Sequence, residues 1–318
     1  MIEVNNLIKF YGDHKAVDDI SFSVKGGTVC GFCGPNGAGK STTMNIMTGC
    51  LSATSGNVTI GGYDIFEHPI EAKKLIGYLP EQPPLYLEET PREYLRFIAE
   101  AKKIPAKSIK EEIETVIEET QIKEVADRLI KNLSKGYKQR VGIAQTLLGN
   151  PKVIILDEPT VGLDPIQVVE IRDLIKSLGK KHTVILSSHI LSEVQQMCDE
   201  IIIIAKGKLI AYDTAENLEK LLQPKVTLEV QTDAAREEGE LVLRKIEGIE
   251  KVEYEEMEDG LLKILIETTP EKELEIRKTI SLQLANINRA VLKNDKIKAN
   301  LEEIFIELTN PDREEESE

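Results

Sequence analysis

The spacing of apolar and polar positions changes several times along this chain. Up to Leu79 the apolar residues fall in short runs, at Ile2–Asn5, Ile20–Val24, Thr28–Phe32, Gly56–Ile60 and Ile76–Leu79. Runs of that length predict strands. Gly12-Asp13 supplies a turn between the first two, and Gly61-Gly62-Tyr63-Asp64 a strand end and turn. Lys40–Thr48 reads as a helix directly after a buried strand. From Thr90 to Gly149 the spacing becomes helical. Pro91-Arg92-Glu93 opens a helix with Thr90 as its cap, and Ile109–Thr120 and Val141–Leu148 follow with apolar residues on one face. Strands return at Val153–Leu156, Thr183–Ser187 and Ile201–Ile204, separated by helices at Ile166–Leu178 and Leu191–Met197. Strand, helix, strand in alternation predicts a mostly parallel sheet covered on both faces, here with an all-helical insert at about 85–150.

Pro224 marks a boundary. Beyond it the pattern predicts strand Val226–Thr232, helix Ala234–Ile246 and strands Ile249–Glu255 and Leu261–Thr268 around an Asp259-Gly260 turn. Helix Glu271–Ala285, strand Asn288–Leu292 and a last helix at Leu301–Thr309 complete it. The order βαββαβ is that of ferredoxin-like domains. The expected organisation is a first domain over 1–222, an accessory α+β domain over 223–310 and an acidic tail over 311–318.

Composition narrows the function. A length of 318 residues fits about two domains. The net charge of −15 is uneven: residues 225–318 hold 14 Lys/Arg against 25 Asp/Glu. That excess argues against nucleic acid, whose phosphates require a basic face. Tryptophan is absent and aromatics are 4%, which leaves little material for stacking on single strands. Apolar runs such as Val153–Leu156 and Ile201–Ala205 are far shorter than the roughly 20 residues of a membrane helix. The opening Met1-Ile2-Glu3-Val4 reads as a strand rather than a secretory signal. Cys30 and Cys33 form a C-x-x-C, but no second pair stands at zinc spacing and no helix start holds both thiols. They are expected to be small core residues in a reducing compartment.

The candidate chemistry lies first in Gly34-Pro35-Asn36-Gly37-Ala38-Gly39-Lys40-Ser41-Thr42. It fits G-x-x-x-x-G-K-S/T without a mismatch, after a buried strand and before a helix. A polyphosphate needs backbone N–H groups curled toward it, which glycine permits. The helix start adds its dipole, Lys40 a point charge and Ser41 a hydroxyl for Mg²⁺. The second half is Val153-Ile154-Ile155-Leu156-Asp157-Glu158, an apolar strand ending in two acids. Ligands bind at the carboxyl ends of parallel strands. Asp157 is expected to face Mg²⁺, and Glu158 to orient or deprotonate an attacking water.

Leu133-Ser134-Lys135-Gly136-Tyr137-Lys138-Gln139-Arg140 lies between the two halves. Here the chain resembles the ATP-binding-cassette (ABC) ATPases, whose signature reads LSGGQ-x-x-R. Ser134, Gly136 and Arg140 match; Lys135 and Tyr137 depart from it. The resemblance covers about residues 1–220 and includes Tyr11, Gln82, Gly162-Leu163-Asp164 and His189 in the family's order. It implies a P-loop NTPase core of α/β class with an antiparallel β subdomain and a helical subdomain. It also implies that Tyr11 stacks on adenine, Gln82 touches Mg²⁺ or water, and His189 bonds the γ-phosphate and steadies Glu158. Ser134, Lys135, Gly136 and Asp164 would complete the ATP site of a second copy.

The LSKGYKQR form, the Gly162-Leu163-Asp164-Pro165 turn and the acidic C-terminal domain ending in Leu301-Glu302-Glu303-Ile304-Phe305 are similar to ATPase subunits of ABC-2-type exporters. That resemblance implies ATP and Mg²⁺, a homodimer, and a separate membrane permease that holds the subunit on the inner face of the cell membrane. A soluble family member in translation or DNA maintenance is the alternative. Such proteins usually carry two cassettes or long coiled-coil arms, and neither is present.

Overall fold

The computed structural model describes residues 1–222, 226–257 and 260–297, and the side chains of these except 219–222. Contacts divide the chain into a unit spanning Met1–Ala215 and a second that begins at Glu216.

The first unit contains two sheets. An antiparallel one runs β2 (His14–Val24), β1 (Ile2–Tyr11), β4 (Ser55–Ile60), β5 (Tyr63–Asp64). Ile2, Val4 and Leu7 of β1 point inward, joined by Ile20, Phe22 and Val24 of β2. These strands run further than the apolar alternation predicts, because the hairpin pairs as far as Tyr11 opposite His14. Backbone hydrogen bonds extend a ladder past the last residue that needs burial.

The six-stranded sheet positions the site. It follows the order β10 (Lys208–Asp213), β9 (Glu200–Ala205), β3 (Val29–Cys33), β8 (Thr183–Ser188), β7 (Val153–Leu156), β6 (Ile76–Leu79). All neighbouring pairs are parallel except β10 with β9. Every residue of β3, β7 and β8 is buried, as expected of strands covered on both faces. Since β8 lies between β3 and β7, three chain segments leave the sheet side by side at its carboxyl end: 34–39, 157–164 and 189–190.

The covering helices are α1 (Lys40–Met47), α2 (Pro69–Lys74), α6 (Pro165–Gly179) and α7 (Leu191–Met197). Between β6 and β7 stands the helical insert: α3 (Pro91–Ala101), α4 (Ala106–Glu119) and α5 (Lys135–Leu147). Thr90 caps α3 in a capping box with Glu93, and Pro91 occupies the first turn. α5 begins six positions before the expected Val141. Its first turn is polar, so periodicity does not reveal it; Ser134 starts it by accepting the Tyr137 N–H at 3.3 Å.

The second unit begins with α8 (Ala215–Leu222), whose first residue belongs to the first unit by contacts. β11 (Val226–Thr232), α9 (Arg236–Leu243), β12 (Ile249–Glu256), β13 (Leu262–Thr268), α10 (Glu273–Asn286) and β14 (Val291–Ile297) follow. The sheet order β12-β13-β11-β14, with all neighbours antiparallel, is that of a βαββαβ domain. β11 and β13 alternate strictly, and Leu228, Val230, Ile264 and Ile266 pack under Ile276, Ile280 and Leu284. β14 lies later than the expected Asn288–Leu292. Asn288 takes φ 60° in the turn after α10, and the polar run Lys293–Lys296 is instead paired along β11. The expected helix Leu301–Thr309, the tail 311–318, Pro224 and Asp259 lie outside the described residues.

Candidate functional site

The loop Gly34–Gly39 bridges β3 and α1. Gly39 has φ 102°, and a Cβ there would stand 2.5 Å from the carbonyl oxygen of Ala16, so no other residue fits. The Ala38 N–H donates to Pro35 O at 3.1 Å and the Thr43 N–H to Gly39 O at 2.9 Å. The Lys40 ammonium turns back over the loop, donating to Gly34 O at 2.8 Å and Pro35 O at 3.3 Å.

The acids meet this loop from β7. Ser41 Oγ donates to Asp157 Oδ1 at 3.3 Å, and Ser187 Oγ at the end of β8 donates to the same oxygen at 2.6 Å. Ser187 Oγ also accepts the Glu158 N–H at 2.8 Å. Glu158 has φ 47°, a left-handed conformation costly for a residue with a side chain and typical of strained functional positions. That turn sends its carboxylate back across the sheet end. Oε2 accepts from His189 Nδ1 at 2.9 Å, and Oε1 stands 3.6 Å from Lys40 Nζ. Lys40 and Glu158 are nearly fully buried, whereas the His189 side chain is 41% exposed. A buried ion pair with so few further donors gains little over its desolvation cost.

These groups share a cavity of about 390 Å³, lined by Tyr11, Asn36, Gly37, Gly39, Lys40, Ser41, Thr42, Glu158 and His189 among the expected residues. Tyr11 is 49% exposed at the end of β1, with Lys9 Nζ over its ring at 5.4 Å from the centroid. Gly34, Pro35, Ala38 and Asp157 support the wall without lining it. Gln82 is exposed and does not line the cavity; its neighbour Glu81 does. His14, Ala16 and Val161 also line it and were not expected. The hairpin register, Tyr11 opposite His14, is the signal that places His14 there. Ser187, in sequence only the end of an apolar strand, joins the two acids.

Ser134, Gly136 and Asp164 line a separate cavity of about 270 Å³ with Tyr137, Arg140 and Gln167; it shares no residue with the first. Asp164 caps α6 by accepting the Gln167 N–H at 2.9 Å. Arg140 is buried, donating to Thr120 O at 3.1 Å and to Glu170 Oε2 at 2.9 Å. The Tyr137 hydroxyl bonds to Glu124. Lys135 lies across Gly162, where a Cβ would come within 2.1 Å of its Nζ. Gly162 itself has φ 66°, so the turn needs glycine for its backbone as well.

Cys30 and Cys33 are free thiols buried in β3, as expected of core residues. Burial, outweighing the nearby Lys40 charge, pushes the Cys33 thiol up to about 12 and raises Cys30 as well.

A model of the ABC transporter family matches residues 17–161. The bacitracin transport ATP-binding protein BcrA of Bacillus licheniformis is 37% identical over 266 residues, 83% of this chain and 84% of that protein. The linearmycin resistance ATP-binding protein LnrL of Bacillus subtilis is 34% identical over 310 residues, 97% of this chain and 98% of that one. Among solved structures, the dimeric ATP-binding cassette MJ0796 in a post-hydrolysis state with ADP and Pi superposes with a TM-score of 0.60 at 25% identity. It covers 67% of this chain and 98% of its own. The P-loop fold, the acid pair joined to His189 and full-length relatives therefore converge: this chain belongs to the ABC transporter ATP-binding proteins and is an ATP-hydrolysing transporter subunit.

Proposed function

We propose that the chain powers export through a separate membrane permease of ABC-2 type, working as a homodimer whose two ATP sites are shared between copies. The observation that carries the shared site is the separation of its halves. Lys40 and Glu158 line one cavity, while Ser134 and Gly136 line another in the same chain. A second copy supplies what each lacks, its Ser134 and the N–H groups that start α5 meeting the outer phosphate. Lys135 adds a cation beside them, and Asp164 meets the partner from the adjoining turn. The names of BcrA and LnrL, a bacitracin transport and a linearmycin resistance protein, support a role in export. The permease would hold the subunit on the cytoplasmic face. The cassette would span 1–222, with its helical subdomain at 85–150. An accessory domain over 223–310 adds dimer contacts, and 311–318 forms an acidic tail.

Within one site, Tyr11 takes the base against its ring and the loop Gly34–Thr42 wraps the phosphates. Ser41 and Asp157, whose oxygens already point at one another, have the sparse oxygen donors Mg²⁺ accepts beside phosphates and water; Gln82 would join them. When bound, the ion neutralises phosphate charge. Phosphates also draw Lys40 off Gly34 O, Pro35 O and Glu158. That frees Glu158 Oε1 to accept a proton from water, while the water oxygen bonds to the γ-phosphorus and the bond to the ADP oxygen breaks. His189 holds Oε2, so the released oxygen keeps its aim.

The test is Glu158→Gln in the full chain. It should bind ATP, dimerise and hydrolyse about 10²- to 10⁴-fold more slowly, the usual weight of general-base catalysis. Hydrolysis at the unaltered rate would falsify the assignment.

A further inference from the structure

We propose that Thr160 and Glu193 are positioning residues that hold the segment of His189 against that of Glu158. This rests on the roles given to Glu158 and His189 above. Thr160 stands two residues after Glu158, is 6% exposed, and donates its hydroxyl to Glu193 Oε2 at 2.6 Å. Glu193 lies in the first turn of α7, four residues after His189. The Glu158–His189 bond and the Thr160–Glu193 bond thus tie the same two segments.

What lies on either side gives the second tie its function. Toward the surface, Thr160 begins the turn that ends at Asp164. The Val161 N–H donates to Glu158 O and the Leu163 N–H to Thr160 O, both at 3.2 Å. Thr160 is therefore held in a tight hydrogen-bonded turn rather than in slack chain. Toward the core, α7 rests on β3, where Val194 fills the space left by Gly31: a Cβ there would lie 2.0 Å from Val194 Cγ1. Arg172 of α6 bonds Gln196 at the far end of α7. A hydroxyl donating to a carboxylate is among the stronger neutral-donor bonds, and the donor here is buried. It makes α7, and with it the backbone that leads from His189, follow the turn. Hydrolysis then depends on the Thr160–Glu193 bond, although neither residue lines the nucleotide cavity.

The test is steady-state ATP hydrolysis by the full chain carrying Thr160→Val, Thr160→Ser, Glu193→Ala or both Thr160→Val and Glu193→Ala. Misplacement of His189 without loss of the phosphate loop should lower kcat about tenfold in Thr160→Val, with KM for ATP within about twofold. Thr160→Ser keeps the donor and should return kcat to within about threefold. The double variant should be no worse than either single one, since both break one bond. A Thr160→Val kcat equal to the unaltered chain, a Ser variant as slow as Val, or additive losses in the double variant each overturn the proposal. If Thr160→Val does not fold, Glu193→Ala against Thr160→Ser carries the same comparison. Glu158→Gln, run alongside, separates the two readings: its inactivity with a fully active Thr160→Val would leave the role of Glu158 standing and remove only this positioning pair.

Discussion

Ser187 donates to Asp157 Oδ1 at 2.6 Å while accepting the Glu158 N–H at 2.8 Å. One hydroxyl at the end of β8 thus fixes both acids at the end of β7. Ser187→Ala leaves a buried N–H without its acceptor and should cost about 1–3 kcal/mol of stability. It should also lower kcat more than KM, because Glu158 loses the anchor of its left-handed backbone. Thermal unfolding and steady-state kinetics on the same preparation check both effects.

Mixed dimers test whether the two cavities belong to one shared site. Lys40→Ala removes the phosphate cation and should weaken ATP binding by about 1.5–3 kcal/mol, a factor of roughly 10 to 150. Ser134→Arg fills the space at the start of α5. Alone, each variant should be inactive. Mixed, they form one dimer site with an unaltered loop and an unaltered signature, so ATP-dependent hydrolysis should reappear. A mixture as inactive as its components would exclude sharing between copies.

The cysteines should divide by burial. Cys33, with its thiol at about 12, is ionised to about one part in 10⁴ at pH 8. Cys50 is exposed. Alkylation of the native protein at pH 8 should label Cys50 within minutes and leave Cys30 and Cys33 untouched until unfolding, with mass spectrometry reading each site. Rapid labelling of the C-x-x-C pair would show it to be a reactive site.

Truncation after Pro224 should leave ATP binding intact and reduce the dimer fraction at a given ATP concentration. The accessory unit has its own core of Leu228, Ile264, Ile276 and their neighbours, and the phosphate loop belongs to the other unit. Light scattering with and without ATP reads the dimer fraction; an unchanged value would mean the accessory domain contributes nothing to assembly.

The sequence alone determined the phosphate loop, the acid pair, the parallel core and the βαββαβ order. Each rests on local spacing: glycines at fixed offsets, an apolar run ending in carboxylates, periods of two and 3.6. The tertiary structure decided the rest. It lengthened β1 and β2 through pairing, began α5 at its cap and moved β14 past the turn at Asn288. It also placed Glu81 rather than Gln82 on the cavity wall, and brought Ser187 to Asp157 and Glu193 to Thr160 across intervals of about thirty residues. Such contacts leave no local pattern, because they follow from β8 lying between β3 and β7. Strand order in a parallel sheet is set by how buried faces pack, and any run of five apolar residues is compatible with several neighbours.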